Sequence, residues 1–226
     1  MMSTLLEMIG CRYPIIQGPI AEMKSPRLTA AVCEAGAFGM LSLGFSNAEE
    51  TRRLVDGVRE LTDKPFGANI MLINPASPEI LKILAEAGVK TVTTSTGSPG
   101  KIYPLIHDLG MKGLHVLLAL SHAMRAASEG ADGLIVSGSE SGGLRSMGSE
   151  SSTMVLIPLV ADQVKIPVVA AGGAGPGGSG CTDRDAFYSL GRIARTTGLE
   201  RSHPGLRRRR HDASAPEKHE DARHSQ

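Results

Sequence analysis

The 226-residue sequence holds no tryptophan, four phenylalanines and three tyrosines. Proteins that grip single-stranded nucleic acid stack bases on aromatic side chains, so this shortage counts against that class. Neither sign of charge is in excess. Lys and Arg total 24 against 23 Asp and Glu, a net of +1, which leaves no field to gather a polyanion or an anionic membrane. No apolar run approaches the roughly 20 residues that a membrane span requires. The opening MMSTLLEMIG carries Glu7 and no basic stretch, so no signal peptide is expected. The three cysteines, Cys11, Cys33 and Cys181, are odd in number and widely spaced. That spacing fits neither a disulfide framework nor a zinc site. The expectation is a reduced, cytoplasmic protein without a metal.

What is present falls into two parts. Up to about residue 175, short apolar runs alternate with helical patterns. The runs are Pro14–Gln17, Gly39–Ser42, Phe66–Asn69, Thr91–Ser95, Leu114–Leu118, Gly133–Ser137 and Pro167–Ala171. Gly or Pro bounds them, and they are apolar throughout, as buried parallel strands are. Amphipathic helices fit between them, for instance along Leu28, Ala31, Val32 and Ala35, and along Leu54, Val58 and Leu61. Further helices are predicted near 78–87, 104–109, 122–128 and 153–163. Ser46 and Glu49 make a capping-box pattern ahead of the second helix. Three units end in EAGA, EAGV and SEGAD, where Gly suits a left-handed cap.

Beyond about residue 175 the large aliphatics nearly vanish. Residues 176–226 are rich in Gly, Arg and His, with Arg207–Arg210 continuous and four of seven histidines at His203, His211, His219 and His224. Such a composition buries little apolar area to offset the entropy of ordering, so this tail is expected to be mostly disordered.

Strict alternation of β and α implies a parallel sheet, either an open doubly wound sheet or a barrel. The first strand is not followed by a G-x-G-x-x-G turn, which weakens the dinucleotide-binding option. In a barrel, function lies at the C-terminal strand ends. These read Gln17-Gly18-Pro19-Ile20, Gly67-Ala68-Asn69, TSTGSP from Thr94, ESGG from Glu140, and VVAAGG ending at Gly173. A side-chain amide such as Asn69 both donates and accepts, which suits a heteroaromatic edge; capping a turn is the plain alternative. The Gly142-Gly143 loop offers backbone N–H groups that could form an anion nest, or it is an ordinary surface loop. The double Gly after the seventh strand matches a barrel phosphate site. A lone His115 inside an apolar strand reads first as a core residue.

Taken in order, the motifs QGP, GAN, TSTGSP, ESGG and PVVAAGG resemble the nitronate monooxygenases, also called 2-nitropropane dioxygenases, and the related flavin-type enoyl-acyl carrier protein reductases. The resemblance runs from about residue 8 to 173. It implies an α/β fold of (β/α)8 TIM-barrel type and one non-covalent FMN. It implies oxidation of nitronates or nitroalkanes with O2, with a small-molecule substrate. By position, Gly18, Pro19, Ile20 and Asn69 would contact the flavin ring, Gly142 would lie beside it, and Ala171, Gly172 and Gly173 would form the first half of the phosphate site. The sequence departs from the family at three places. The loop position that carries a catalytic His in the family is Leu144 here, followed by Arg145. The residue after His115, a Lys in some members, is Val116. The eighth strand and the Gly-Thr-Arg turn that complete the phosphate site are missing, so about seven βα units are expected. The abrupt change of composition after Gly173 has the look of a shifted reading frame.

With Leu144 unable to take a proton, the remaining candidates for catalytic groups are Arg145, His115 and Glu140. Arg145 could pair with a planar anionic substrate or be a solvated loop charge. Other readings stand beside the first. One is an NAD(P)H-dependent flavin reductase of quinones or enoyl thioesters. Another is a fragment of the family without catalysis. Nucleic-acid binding through Arg207–Arg210 is the weakest, since a solvated tail accounts for the same run.

Overall fold

The computed structural model describes residues 5–20, 23–141 and 151–172, together with the backbone of a strand at 187–189. The chain divides into units Met1–Ala194 and Arg195–Gln226. The second lies outside the described residues, and with it most of the tail expected to be disordered.

The first unit begins with a short helix α1 (Leu5–Ile9). Seven strands then alternate with helices: β1 (Ile15–Gln17), α2 (Pro26–Glu34), β2 (Met40–Ser42), α3 (Ala48–Arg59), β3 (Gly67–Met71), α4 (Ser77–Glu86), β4 (Thr91–Ser95), α5 (Tyr103–Asp108), β5 (Lys112–Leu117), α6 (Leu120–Ser128), β6 (Gly133–Ser137), α7 (Thr153–Gln163) and β7 (Val168–Ala171). Strands β2 to β7 pair in parallel with their sequence neighbours. A parallel bridge between Ile16 and Phe38 joins β1 to the start of β2. Its bonds are Gln17 N–H to Phe38 O and Phe38 N–H to Ile15 O, both 2.9 Å.

An eighth strand, β8 (Phe187–Ser189), closes the ring between β7 and β1. This corrects the expectation that no strand fills the eighth position. The strand is antiparallel to both neighbours, so it is not an eighth βα unit. The physical reason lies in the sheet: β1 and β7 would otherwise present unpaired backbone edges. The tail's single aromatic stretch, with its β propensity, pairs with them.

The seven parallel units bear out the barrel class, and side chains alternate between two apolar layers. Leu41, Ala68, Ile70, Val92, Leu134 and Val136 point outward and pack with helix residues such as Leu54, Ile80, Leu84 and Val160. Ile16, Met40, Leu114, Ile135, Val169 and Ala171 point inward and form a second cluster with Phe38 and Ile9. Helix α1 was not foreseen. It closes the floor of the barrel, where Thr91 Oγ1 donates to Met8 O at 3.1 Å.

Local chemistry explains the helix ends. The Ser25 hydroxyl accepts from Leu28 N–H at the start of α2. Helix α3 is capped by Asn47, whose side chain accepts from Glu50 N–H at 2.9 Å, one residue later than the Ser46 box predicts. The glycines of EAGA, EAGV and SEGAD hold φ of +90°, +75° and +99° at Gly36, Gly88 and Gly130.

Gly39 serves a different purpose. A Cβ there would lie 2.2 Å from Thr29 O and 2.7 Å from Cys33 Sγ. The carbonyl belongs to α2 and cannot swing aside, so β2 and α2 approach only through glycine. Gly39→Ala is expected to lower unfolding free energy by about 3 kcal/mol or more, the upper end of overpacking costs. Urea denaturation would show it, and a loss under about 1 kcal/mol would mean the two elements separate freely.

Candidate functional site

The C-terminal ends of the parallel strands gather several buried polar residues. Ser42, Asn69, Thr93 and Ser137 all face inward near this mouth and are buried. Asn69 and Thr93 lie directly opposite each other on β3 and β4. The Thr93 hydroxyl donates to Asn69 Oδ1 at 2.9 Å. That bond orients the amide, leaving Asn69 Nδ2 on the Ser95 side with one long contact of 3.5 Å to Ser95 Oγ. An amide nitrogen carries two donors, so Asn69 keeps hydrogen-bonding capacity at the mouth. Thr93 is the residue that sequence reading missed. On β1, Gln17 sets its side-chain amide against the Met40 backbone, with Nε2 to Met40 O and Oε1 to Met40 N–H both at 3.5 Å.

Gly18 follows β1 and is buried, while Pro19 and Ile20 are half-buried. The TSTGSP loop is constrained. Thr96, a β-branched residue, holds φ +53°, a conformation that costs about 1–3 kcal/mol.

At the far side of the mouth Ala171 ends β7 and Gly172 turns with φ +75°. A Cβ on Gly172 would lie 2.8 Å from Ser137 Oγ and 3.2 Å from Ser141 backbone atoms. The chain leaving β6 therefore occupies the space beside Gly172. Gly142, Leu144, Arg145 and Gly173 lie outside the described residues.

Two of the candidate bases are placed away from any role as base. Strand alternation sends Leu114 and Val116 inward and His115 outward. His115 Nδ1 lies 2.8 Å from Thr94 Oγ1, which in turn lies 3.3 Å from the Tyr103 hydroxyl. His115 thus sits between sheet and helices, as the core reading expects. Glu140 is engaged too. Its Oε2 accepts from Thr153 N–H at 2.7 Å and from Thr153 Oγ1 at 2.8 Å, at the start of α7. Those bonds, the backbone one first, hold its carboxyl below the usual range.

Burial pushes the His115 pKa from 6.5 down to about 4. The folded state therefore keeps a neutral imidazole, and the unfolded chain takes up a proton as pH falls below about 6.5. Stability from this group is full above that pH and is lost on acidification toward pH 4. The shift corresponds to about 3 kcal/mol. Urea midpoints measured from pH 7 to 4.5 should fall more steeply for the natural protein than for His115→Gln. Equal slopes would contradict the buried neutral state.

The described mouth thus offers neutral donors and acceptors and no side chain poised as an acid or base. The profile of the nitronate monooxygenase family matches residues 2–102 and 77–191. The chain belongs to the nitronate monooxygenase family. The family is one of flavoenzymes. A similar protein is the (3aS,4S,5R,7aS)-5-hydroxy-7a-methyl-1-oxo-octahydro-1H-indene-4-carboxyl-CoA dehydrogenase of Rhodococcus jostii, 32% identical, with 76% of this chain and 48% of that protein covered. The nitronate monooxygenase of Paraburkholderia phytofirmans is 29% identical, with 75% and 58% covered. Among solved structures, FabK from Thermotoga maritima superposes with a TM-score of 0.68 at 35% identity, covering 73% of this chain and 52% of that one. The chain spans about half the length of these relatives.

The described mouth is open to a flat ring at the Asn69 end and narrow at the Gly172 end. Around Asn69 the donor set suits a flat ring edge. At Gly172 the chain itself fills the close approach. Because β8 runs antiparallel, its C-terminal end points to the floor. Among the described residues no group of His, Cys, Asp or Glu is arranged to hold a metal, and no helix is long and apolar enough to cross a membrane.

Proposed function

We propose that the chain is an FMN-dependent oxidoreductase that oxidises nitronates with O2. The observation that carries this reading is Asn69, inward-facing, buried, oriented by Thr93 and retaining donors at the barrel mouth. Asn69 would hold the edge of the flavin ring. Gly18, Pro19 and Ile20 would line its face, with Gly142 beside it. Ala171, Gly172 and Gly173 would take part of the phosphate. Bound FMN supplies the two-electron redox chemistry that the neutral side chains lack. Gly18 would let backbone approach the ring, and Pro19 would keep that approach stiff. Arg145 would pair with the anionic substrate. A reducing, cytoplasmic setting suits Cys11 and Cys33, both free thiols.

A second reading has an observation of its own. The CoA-ester dehydrogenase and FabK are 32% and 35% identical, against 29% for the nitronate monooxygenase. This favours an NAD(P)H-dependent flavin reductase of enoyl thioesters or quinones on the same scaffold. Anaerobic mixing of the flavin-loaded chain with ethyl nitronate or with NADH separates the two. Bleaching of the flavin band by the nitronate alone is the expected result. Bleaching by NADH, with oxidation on adding an enoyl thioester, would replace the first reading by the second.

A further inference from the structure

Two tight turns leave the barrel beside Asn69. Leu43 N–H donates to Asn69 O at 2.9 Å, and Ser46 N–H returns to Leu43 O at 3.1 Å. Leu43–Ser46 is therefore a four-residue turn starting level with Asn69. The next strand repeats it: Leu72 N–H donates to Ser95 O at 2.8 Å, and Asn74 N–H returns to Met71 O at 2.9 Å. Each turn carries a large apolar residue at its third position, Phe45 in one and Ile73 in the other.

Both are exposed, Phe45 to 70% and Ile73 to 56%. A single exposed apolar side chain needs no explanation. This pair differs because the backbone beneath it is locked. The buried Asn74 amide donates from Nδ2 to Gly44 O at 3.1 Å and to Ser46 O at 2.9 Å, the carbonyls on either side of Phe45. Its Oδ1 accepts from Ala76 N–H at 3.0 Å. Gly44 leaves room for the Met71 thioether, which a Cβ there would meet at 2.8 Å. Ser77 Oγ donates to Met71 O at 2.9 Å and fixes the second turn to α4. The other described phenylalanines, Phe38 and Phe66, are 1% exposed. Phe45 is held out into water by a turn whose flanking carbonyls are tied to Asn74.

We infer that Phe45 and Ile73 form an apolar seat at the barrel mouth for the hydrocarbon part of the substrate, with Asn74 as its positioning residue. This rests on the proposed oxidoreductase site, since the seat starts level with Asn69 and continues its strand ends outward. The ligand class is therefore an amphiphile: a planar anionic or polar head for the mouth and an alkyl or alicyclic tail of several carbons for the seat.

Two measurements test the seat separately from the reaction. In the first, sodium decanoate and sodium butyrate are titrated into the full chain and followed by NMR. Decanoate is expected to bind at least tenfold more tightly, and Phe45→Ser or Ile73→Ser should each erase most of that difference. Burying methylenes is worth up to about fourfold per group, and a seat open on one side should realise about twofold. In the second, KM of the flavin-loaded chain is measured for alkyl nitronates from ethyl to octyl. KM should fall with chain length. Asn74→Ala should raise KM for octyl nitronate severalfold more than it raises KM for ethyl nitronate. Equal binding of decanoate and butyrate, or Phe45→Ser and Ile73→Ser variants that keep the full preference, would overturn the inference. If decanoate binding depends on Phe45 while no nitronate is turned over, the seat stands and the nitronate reaction fails.

Discussion

Offered a preformed alkyl nitronate and the matching neutral nitroalkane, the flavin-loaded chain is expected to oxidise the nitronate about 10²–10⁴ times faster. The two substrates differ by one carbon-bound proton, and a positioned base contributes about that factor to its removal. The family resemblance puts such a base at position 144, where this sequence has Leu144. Neither substitute serves. Glu140 is held as an anion by the N–H and hydroxyl of Thr153, and those bonds lower its basicity. His115 is neutral, but burial makes it a weak base, and it faces the helices and bonds to Thr94 on the far side of the sheet from the mouth. Leu144→His should raise turnover of the nitroalkane by at least about tenfold and leave nitronate turnover within about twofold. Glu140→Gln should leave the ratio of the two substrates unchanged. Equal rates on both substrates in the natural protein would show that another group takes the proton.

FMN should bind this chain about two to four decades more weakly than a barrel with a complete phosphate site would hold it. Phosphate recognition in a barrel combines backbone N–H groups after the seventh strand with the turn after the eighth. Here β8 runs antiparallel, with its C-terminal end toward the floor, and Ser137 and Ser141 crowd Gly172. Losing two charge-assisted hydrogen bonds at about 1.5–3 kcal/mol each removes roughly 3–6 kcal/mol, which sets the decades. Riboflavin, which lacks the phosphate, should bind this chain within about tenfold of FMN. Stoichiometric FMN retained through dialysis, or a preference for FMN over riboflavin of several decades, would show that a phosphate site is built from residues other than these.

Much of this architecture is legible in the residues. Strands Thr91–Ser95 and Gly133–Ser137 and helix Thr153–Gln163 have the limits that apolar runs and turn residues indicate. Their information is local: β-branched runs, Gly and Pro at the ends, an apolar helical face. Helix α1 and strand β8 escape such reading because tertiary contacts create them. Five residues of α1 would not hold a helix alone and do so on the barrel floor. β8 forms because two strand edges need partners. At the site, Asn69 stands out by its residue type at a strand end. Its partner Thr93 does not, since TVTTS carries threonine on both faces of β4. The same ambiguity hides the direction of His115. Buried parallel strands are apolar on both sides, so Gly-Leu-His-Val-Leu has no polar phase to show which face meets the barrel interior.

The proposed flavin site centred on Asn69 is tested most directly by titrating FMN into the purified full chain and following its fluorescence. The protein as it stands should quench FMN saturably at one equivalent, and Asn69→Ala should weaken binding by about three- to tenfold, the worth of one or two neutral hydrogen bonds, with its melting transition retained. Absence of saturable binding, or affinity indifferent to Asn69 in a folded variant, would contradict a flavin held at this mouth.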